Sequence, residues 1–210
     1  EGGTAHEALV SSEGGGTGIT HTLSDDGKLV ISGTGSIADD AFAGNTKITS
    51  VVISEGVTGI GSRAFTGCTN LTSVTIPEGV TVIDGMTFGN CTSLTSVTIP
   101  GTVTSIEVQA FWNCSSLTSI TIPASVTSIG SGVFQGCTSL TSVKLSEGLT
   151  RIGDQTFGRC NALETIEIPA SLTSIGNDAF KNCAKLRSIR CYANSSTWQP
   201  RYICDSNTTV

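Results

Sequence analysis

Histidine, methionine, aromatic residues and charge are all scarce in this 210-residue chain. There are two histidines (His6 and His21) and one methionine, and 13% of residues are charged, for a net charge of −6. Without a basic face there is nothing to hold nucleic acid or an anionic bilayer, so neither is expected as a partner. A Ser-His-Asp or Cys-His arrangement has almost no parts, because both histidines lie outside the repeated portion of the chain, and no enzyme is expected. Eight cysteines are present, but no C-x-x-C spacing joins them, so neither a zinc site nor any other metal or cofactor is expected. No apolar run approaches the roughly 18–20 residues of a membrane span. The glycines of SEGGGTG precede a strand pattern rather than a helix, which rules out a phosphate loop.

What the chain has in quantity is Ser, Thr and Gly, arranged with a period. The heptapeptide LTSVTIP occupies 71–77 and 94–100, and LTSITIP occupies 117–123. Repeats begin at Ile48, Leu71, Leu94, Leu117, Leu140 and Leu163, every 23 residues, and a seventh is begun at Leu186. A fixed period of this length marks a solenoid, in which each repeat is one coil. In the opening of each block, Leu71, Val74 and Ile76 face one way and Ser73 and Thr75 the other, which predicts a short half-buried strand. Pro77, Pro100, Pro123 and Pro169 close it, because proline has no N–H for the ladder. A second extended piece (residues 80–83) follows, and then a tight helical turn with cap-like Ser62, Ser131, Asp154 or Asn177 at its start.

Two residues past each phenylalanine stands Gly67, Asn90, Asn113, Gly136 or Asn182, the residue types that tolerate a left-handed backbone. Arg159 breaks that column and is expected to be strained. All seven phenylalanines obey the period (Phe42 to Phe180), as do six cysteines: Cys68, Cys91, Cys114, Cys137, Cys160 and Cys183. One coil cannot bury them alone, so stacking neighbours should turn them into interior ladders.

The LxxVxIP strand, the VTxIG segment and the AFxGC turn resemble the BspA-like leucine-rich repeats of bacterial surface proteins, over residues 29–190. Upstream, ITHTLSDDGKLVISGTG resembles the hairpin that precedes such arrays, with His21 where that family often has Trp. The resemblance implies a mainly β repeat solenoid: a right-handed leucine-rich-repeat superhelix, with a parallel β-sheet on its concave face and short β or helical turns on its convex side. It also implies a secreted or cell-surface location. Such relatives are associated with adhesion to host matrix proteins such as fibronectin or fibrinogen, and with coaggregation.

The expected organisation is a Gly/Ser-rich flexible segment (1–18), a capping hairpin with a shortened first coil (19–47), the repeats (48–190) and a C-terminal cap (191–210). Tyr192, Trp198 and Tyr202 would form a lid over the last coil. The six ladder cysteines read as buried thiols acting as small hydrophobes. Disulfides along the ladder are geometrically conceivable but would distort the turns. Cys191 and Cys204 depart from the period, and a bridge between them stays open.

The exposed strand face is the natural binding surface of such an array. Its first half is a neutral hydroxyl grid, and its last three coils carry Lys144, Glu167 and Arg190 in one column, with Glu164 beside Arg187 in the next. Two readings stand: inter-strand ion pairs that hold register, or a charged footprint for a partner. Trp112, just after a buried Phe, either packs on the next turn or offers a binding anchor. The leading expectation is a monomeric, non-enzymatic extracellular module that binds matrix or cell-surface proteins. The alternative is a structural spacer with no ligand. Ice or surface binding by the Thr58, Thr81, Thr104, Thr127, Thr150 and Thr173 ladder is a third class, requiring a flat array.

Overall fold

A computed structural model of the chain describes residue 16 and residues 18–192. Segment 1–18 therefore lies almost wholly, and Trp198, Tyr202 and Cys204 wholly, outside the described residues. The strands are short and every one falls where the period puts it. One set is β1 (Ile19–Leu23), β2 (Lys28–Gly33), β4 (Ser50–Ile53), β6 (Ser73–Thr75), β8 (Ser96–Thr98), β10 (Ser119–Ile122), β12 (Ser142–Leu145), β14 (Thr165–Ile168) and β16 (Ser188–Cys191). The other is β3 (Gly35–Ile37), β5 (Val57–Ile60), β7 (Val82–Ile83), β9 (Ser105–Ile106), β11 (Ser128–Ile129), β13 (Arg151–Ile152) and β15 (Ser174–Ile175).

Each coil contributes one strand to each set, and the second set is an unbroken parallel sheet, β15-β13-β11-β9-β7-β5-β3. Its axis is an isoleucine column, Ile37, Ile60, Ile83, Ile106, Ile129, Ile152 and Ile175, held in register from coil to coil. The first set is parallel as well, apart from the β1–β2 hairpin, which is antiparallel and joins β2 to the parallel array through Leu29↔Val51 and Ile31↔Ile53. Between the two sheets runs one continuous core. The rings of Phe42 through Phe180 stack at 5.3–5.6 Å with interplanar angles of 3–13°. His21 closes the N-terminal end of that stack edge-on against Phe42, at 5.0 Å. The imidazole thus covers the first apolar ring, as a cap on an open solenoid end must.

The helical turn is corrected: among the described residues there is no helix, and this stretch is a run of tight turns. The reason is that its N–H groups bond outward. Phe65 N donates to Thr87 O, Phe88 N to Ala110 O and Phe111 N to Val133 O, each one coil on, instead of closing a helix within the coil. The cap-like residues also serve the neighbouring coil. Asp39 Oδ1 accepts from Ser62 N at 2.8 Å, and Asp154 Oδ1 accepts from Asn177 N at 2.7 Å.

Two left-handed positions occur per coil. The second is the Gly/Asn column, in which Arg159 is held at φ 60. The first, three residues after the second-sheet isoleucine, holds Asp40, Arg63, Met86, Gln109, Gly132, Gln155 and Asp178, all at positive φ. This column carries no glycine signature in the sequence and was not foreseen. Placing an L-residue there costs of the order of 1 kcal/mol, sustained by the bonds to neighbouring coils. We expect Arg159→Asn, which restores the residue type of its own column, to raise unfolding stability by about 0.5–1 kcal/mol in urea titrations. A loss of stability would contradict the strain argument.

Candidate functional site

The strand face begins with Thr rungs. The Thr72 hydroxyl donates to Thr49 O at 2.9 Å, Thr95 to Thr72 O at 3.2 Å and Thr141 to Thr118 O at 3.1 Å. The same device repeats beside the second sheet, where Thr104, Thr127, Thr150 and Thr173 each donate to the carbonyl one coil back. These hydroxyl protons are spent on the chain's own backbone, so a structural role accounts for the recurrence of Thr without a surface ligand.

The first sheet is interrupted twice, between β8 and β10 and between β12 and β14. The first coincides with a lengthened rung, Thr118 N to Thr95 O at 3.4 Å; at the second the Thr of that column is replaced by Glu164, whose N–H makes no bond to the preceding coil among the described residues. At the second interruption a cavity of about 400 Å³ opens, lined along β12 by Thr141–Leu145 and on β14 by Thr165, Ile166 and Glu167. Val143 and Leu145, which the repeat pattern buries, are only half-buried there.

The charged columns are brought together only in part. Glu167 pairs with Arg190 at 3.5 Å and Glu164 with Arg187 at 3.3 Å, all four side chains more than half exposed. Exposed pairs of this kind contribute about 0–1 kcal/mol. Lys144 corrects the expectation of alternating pairs along the column: among the described residues it pairs with nothing, although Glu167 stands one coil away on the far wall of the cavity. The interruption of the ladder separates the two coils that would have formed that pair.

Trp112 lies on a different side, half-buried at the edge formed by the turns. Two other departures from the repeat fall near it. Met86 occupies a left-handed column whose other members are polar or glycine, and Val108, 48% exposed, stands where sister coils have Ser62, Gly85, Ser131 or Asp154. Neither was singled out from the sequence, although each is visible as the one apolar member of its column.

The ladder cysteines are all buried and free. Each donates its thiol proton to the Phe carbonyl of the preceding coil, Cys68 to Phe42 O at 3.2 Å and Cys114 to Phe88 O at 3.2 Å, for example. Burial pushes the Cys68 thiol up to about 11 and that of Cys137 up to about 12, and raises Cys91, Cys114 and Cys160 strongly as well. Thiols of this kind are poor nucleophiles and poor metal ligands, because the thiolate is the reactive form. Cys191, by contrast, is exposed, and its suggested partner lies outside the described residues.

With two-sheet coils, a phenylalanine core and thiols on the Phe carbonyls in place, comparison with known proteins is decisive. The sequence profile of the BspA type leucine rich repeat region matches in six copies, over residues 35–162 and 104–209. The chain belongs to the BspA-type leucine-rich repeat family. Among solved structures, it resembles a leucine rich cell surface protein from Faecalibacterium prausnitzii A2-165, at 33% identity and a TM-score of 0.72, covering 86% of this chain and 54% of that one. This BspA-type chain thus spans about half the length of that relative. It is also similar to the leucine-rich repeat protein of T. pallidum, at 27% identity and a TM-score of 0.69, covering 80% of this chain and 88% of that one. No curated protein matches the sequence. Repeats of this family are generally non-enzymatic. No described helix is long and apolar enough to cross a membrane.

Proposed function

We propose that this BspA-type array is a non-enzymatic, extracellular protein-binding module of an adhesin-like bacterial surface protein. Its ligand would be a matrix or cell-surface protein, met on the strand face of the last coils. The observation that carries the reading is Lys144: an exposed cation, unpaired among the described residues, on one wall of a 400 Å³ opening in the sheet, with the Glu167–Arg190 and Glu164–Arg187 pairs beside it. Elsewhere the same column of this face is neutral, with Thr75, Thr98 and Thr121 where the last coils carry Lys144, Glu167 and Arg190. Charge at a rim mainly supplies specificity and encounter rate, and exposed side chains in an open slot are free to re-pair with a partner.

Reversing both cations, with Lys144→Glu and Arg190→Glu, should weaken such a partner by about tenfold at low salt while moving stability by no more than about 1 kcal/mol. The measurement is binding to immobilised matrix and cell-surface proteins, with the parent and the double variant side by side. Equal retention of both would move the site off this face, with Trp112 the next anchor to test. Absence of any partner across the screen would favour the spacer reading.

A further inference from the structure

On the turn edge, remote in sequence pattern from the strand face, a second concavity of about 180 Å³ is lined by Gln135, Gln155, Gly158, Arg159, Lys181 and Asn182. Its making can be read column by column. Gln135, Gly158 and Lys181 are successive members of one column, so two long side chains flank a position with none, and the missing side chain leaves the floor open. Gln155 reaches in from the first left-handed column, and its Oε1 accepts from Gln135 Nε2 at 2.7 Å, which fixes both amides at the rim.

Arg159 and Asn182 come from the second left-handed column, where every other member from Gly44 onward is Gly or Asn. Arg159 alone keeps a long side chain at φ 60, and its guanidinium makes no ion pair or side-chain hydrogen bond among the described residues. Strain retained in favour of an exposed, unpaired cation at the lip of a cleft points to use of that cation. Lys181, whose backbone carbonyl accepts from Arg159 N at 2.8 Å, holds its ammonium beside Asp178 at 2.9 Å. No carboxylate lines the cleft itself, in a chain whose net charge is −6.

We propose that this cleft binds the oxyanion of an acidic saccharide, a sulfate or carboxylate group seated between Arg159 and Lys181. A guanidinium offers two parallel N–H donors to such a group, and an ammonium supplies point charge from the other side. The amides of Gln135 and Gln155 present both donors and acceptors, which suits the neutral hydroxyls of a sugar ring rather than a second charge. The site is separate from the strand-face reading and stands or falls without it.

Arg159→Asn tests the site without endangering the fold, because Asn is the residue the same column uses at 90, 113 and 182. Calorimetric titration at low ionic strength would use three probes: a sulfated, uronate-containing hexasaccharide, its desulfated form and hexaglutamate. The parent should bind the sulfated saccharide saturably, and Arg159→Asn should lose about tenfold or more in affinity. Arg151→Gln, which removes the same charge from an exposed position outside both sites, should bind as the parent does. Arg159-dependent binding that survives desulfation assigns the carboxylate as the seated group, and binding lost with the sulfates assigns the sulfate. The proposal is overturned if neither saccharide binds, if Arg159→Asn binds like the parent, if Arg151→Gln loses as much, or if hexaglutamate binds as tightly.

Discussion

Raising the pH from 8 to 10 under reducing conditions should destabilise this protein by several kcal/mol. Five ladder thiols, of Cys68, Cys91, Cys114, Cys137 and Cys160, are raised in the fold above the ordinary value of 9.0, chiefly by burial. A group raised in the native state holds its proton longer there than in the unfolded chain. Its contribution is therefore complete below pH 9 and is lost as the pH climbs from there toward the folded value. Between pH 8 and 10 each such thiol costs on the order of 1 kcal/mol, several kcal/mol for the five together, a large part of the roughly 5–15 kcal/mol that holds a domain folded.

The check is the slope of urea-unfolding stability against pH, in the parent and in a Cys114→Ala, Cys137→Ala variant. The variant starts less stable because of the cavities, but its alkaline loss should be smaller by about 3 kcal/mol. Identical slopes would mean that the thiols are not what base attacks. In the native state at pH 8 the ladder thiols should also resist thiol reagents, whereas Cys191 is exposed and open to them unless bridged.

Phe134→Ala should cost about 3–5 kcal/mol, the range for emptying a well-packed aromatic site. The ring is fully buried, with Phe111 stacked at 5.6 Å on one side and Phe157 at 5.5 Å on the other. Relaxation cannot fill the hole cheaply, because the backbone on both sides is pinned: Phe134 N donates to Thr156 O at 2.8 Å and Phe111 N to Val133 O at 3.0 Å. Trp112→Ala is the comparison, since that ring is half-buried at the edge and should cost less. Thermal melts in which Phe134→Ala matches the parent would sink the stacked-ring account of this core.

Much of this architecture is legible one letter at a time. A 23-residue period dictates that each coil meets copies of itself, so apolar positions that recur must stack and recurring Ser and Thr must face outward. From that alone follow the strand positions, the Phe and Cys ladders, the Gly/Asn column and the strain at Arg159. Periodicity shows which residues lie in a column, but not how the backbone between columns spends its hydrogen bonds. The turns are not helical because Phe65 and its equivalents donate to the next coil, a choice made between coils that no single repeat records.

The first left-handed column was hidden for the same reason. Residues as different as Asp40, Arg63, Met86 and Gln155 are held there by neighbours and not by their own preference. The sites depend on tertiary structure still more heavily. Sequence alone lists Lys144, Glu167 and Arg190 as an alternating row, but a break between β12 and β14 leaves Lys144 alone and opens the cavity beside it. Likewise Gln135, Gln155 and Lys181 are unremarked letters, and Arg159 only a break in its column, until stacking lays Gly158 between two long side chains and makes a cleft. A repeat pattern determines what every coil shares; where coils differ, only their packing against one another decides what the difference does.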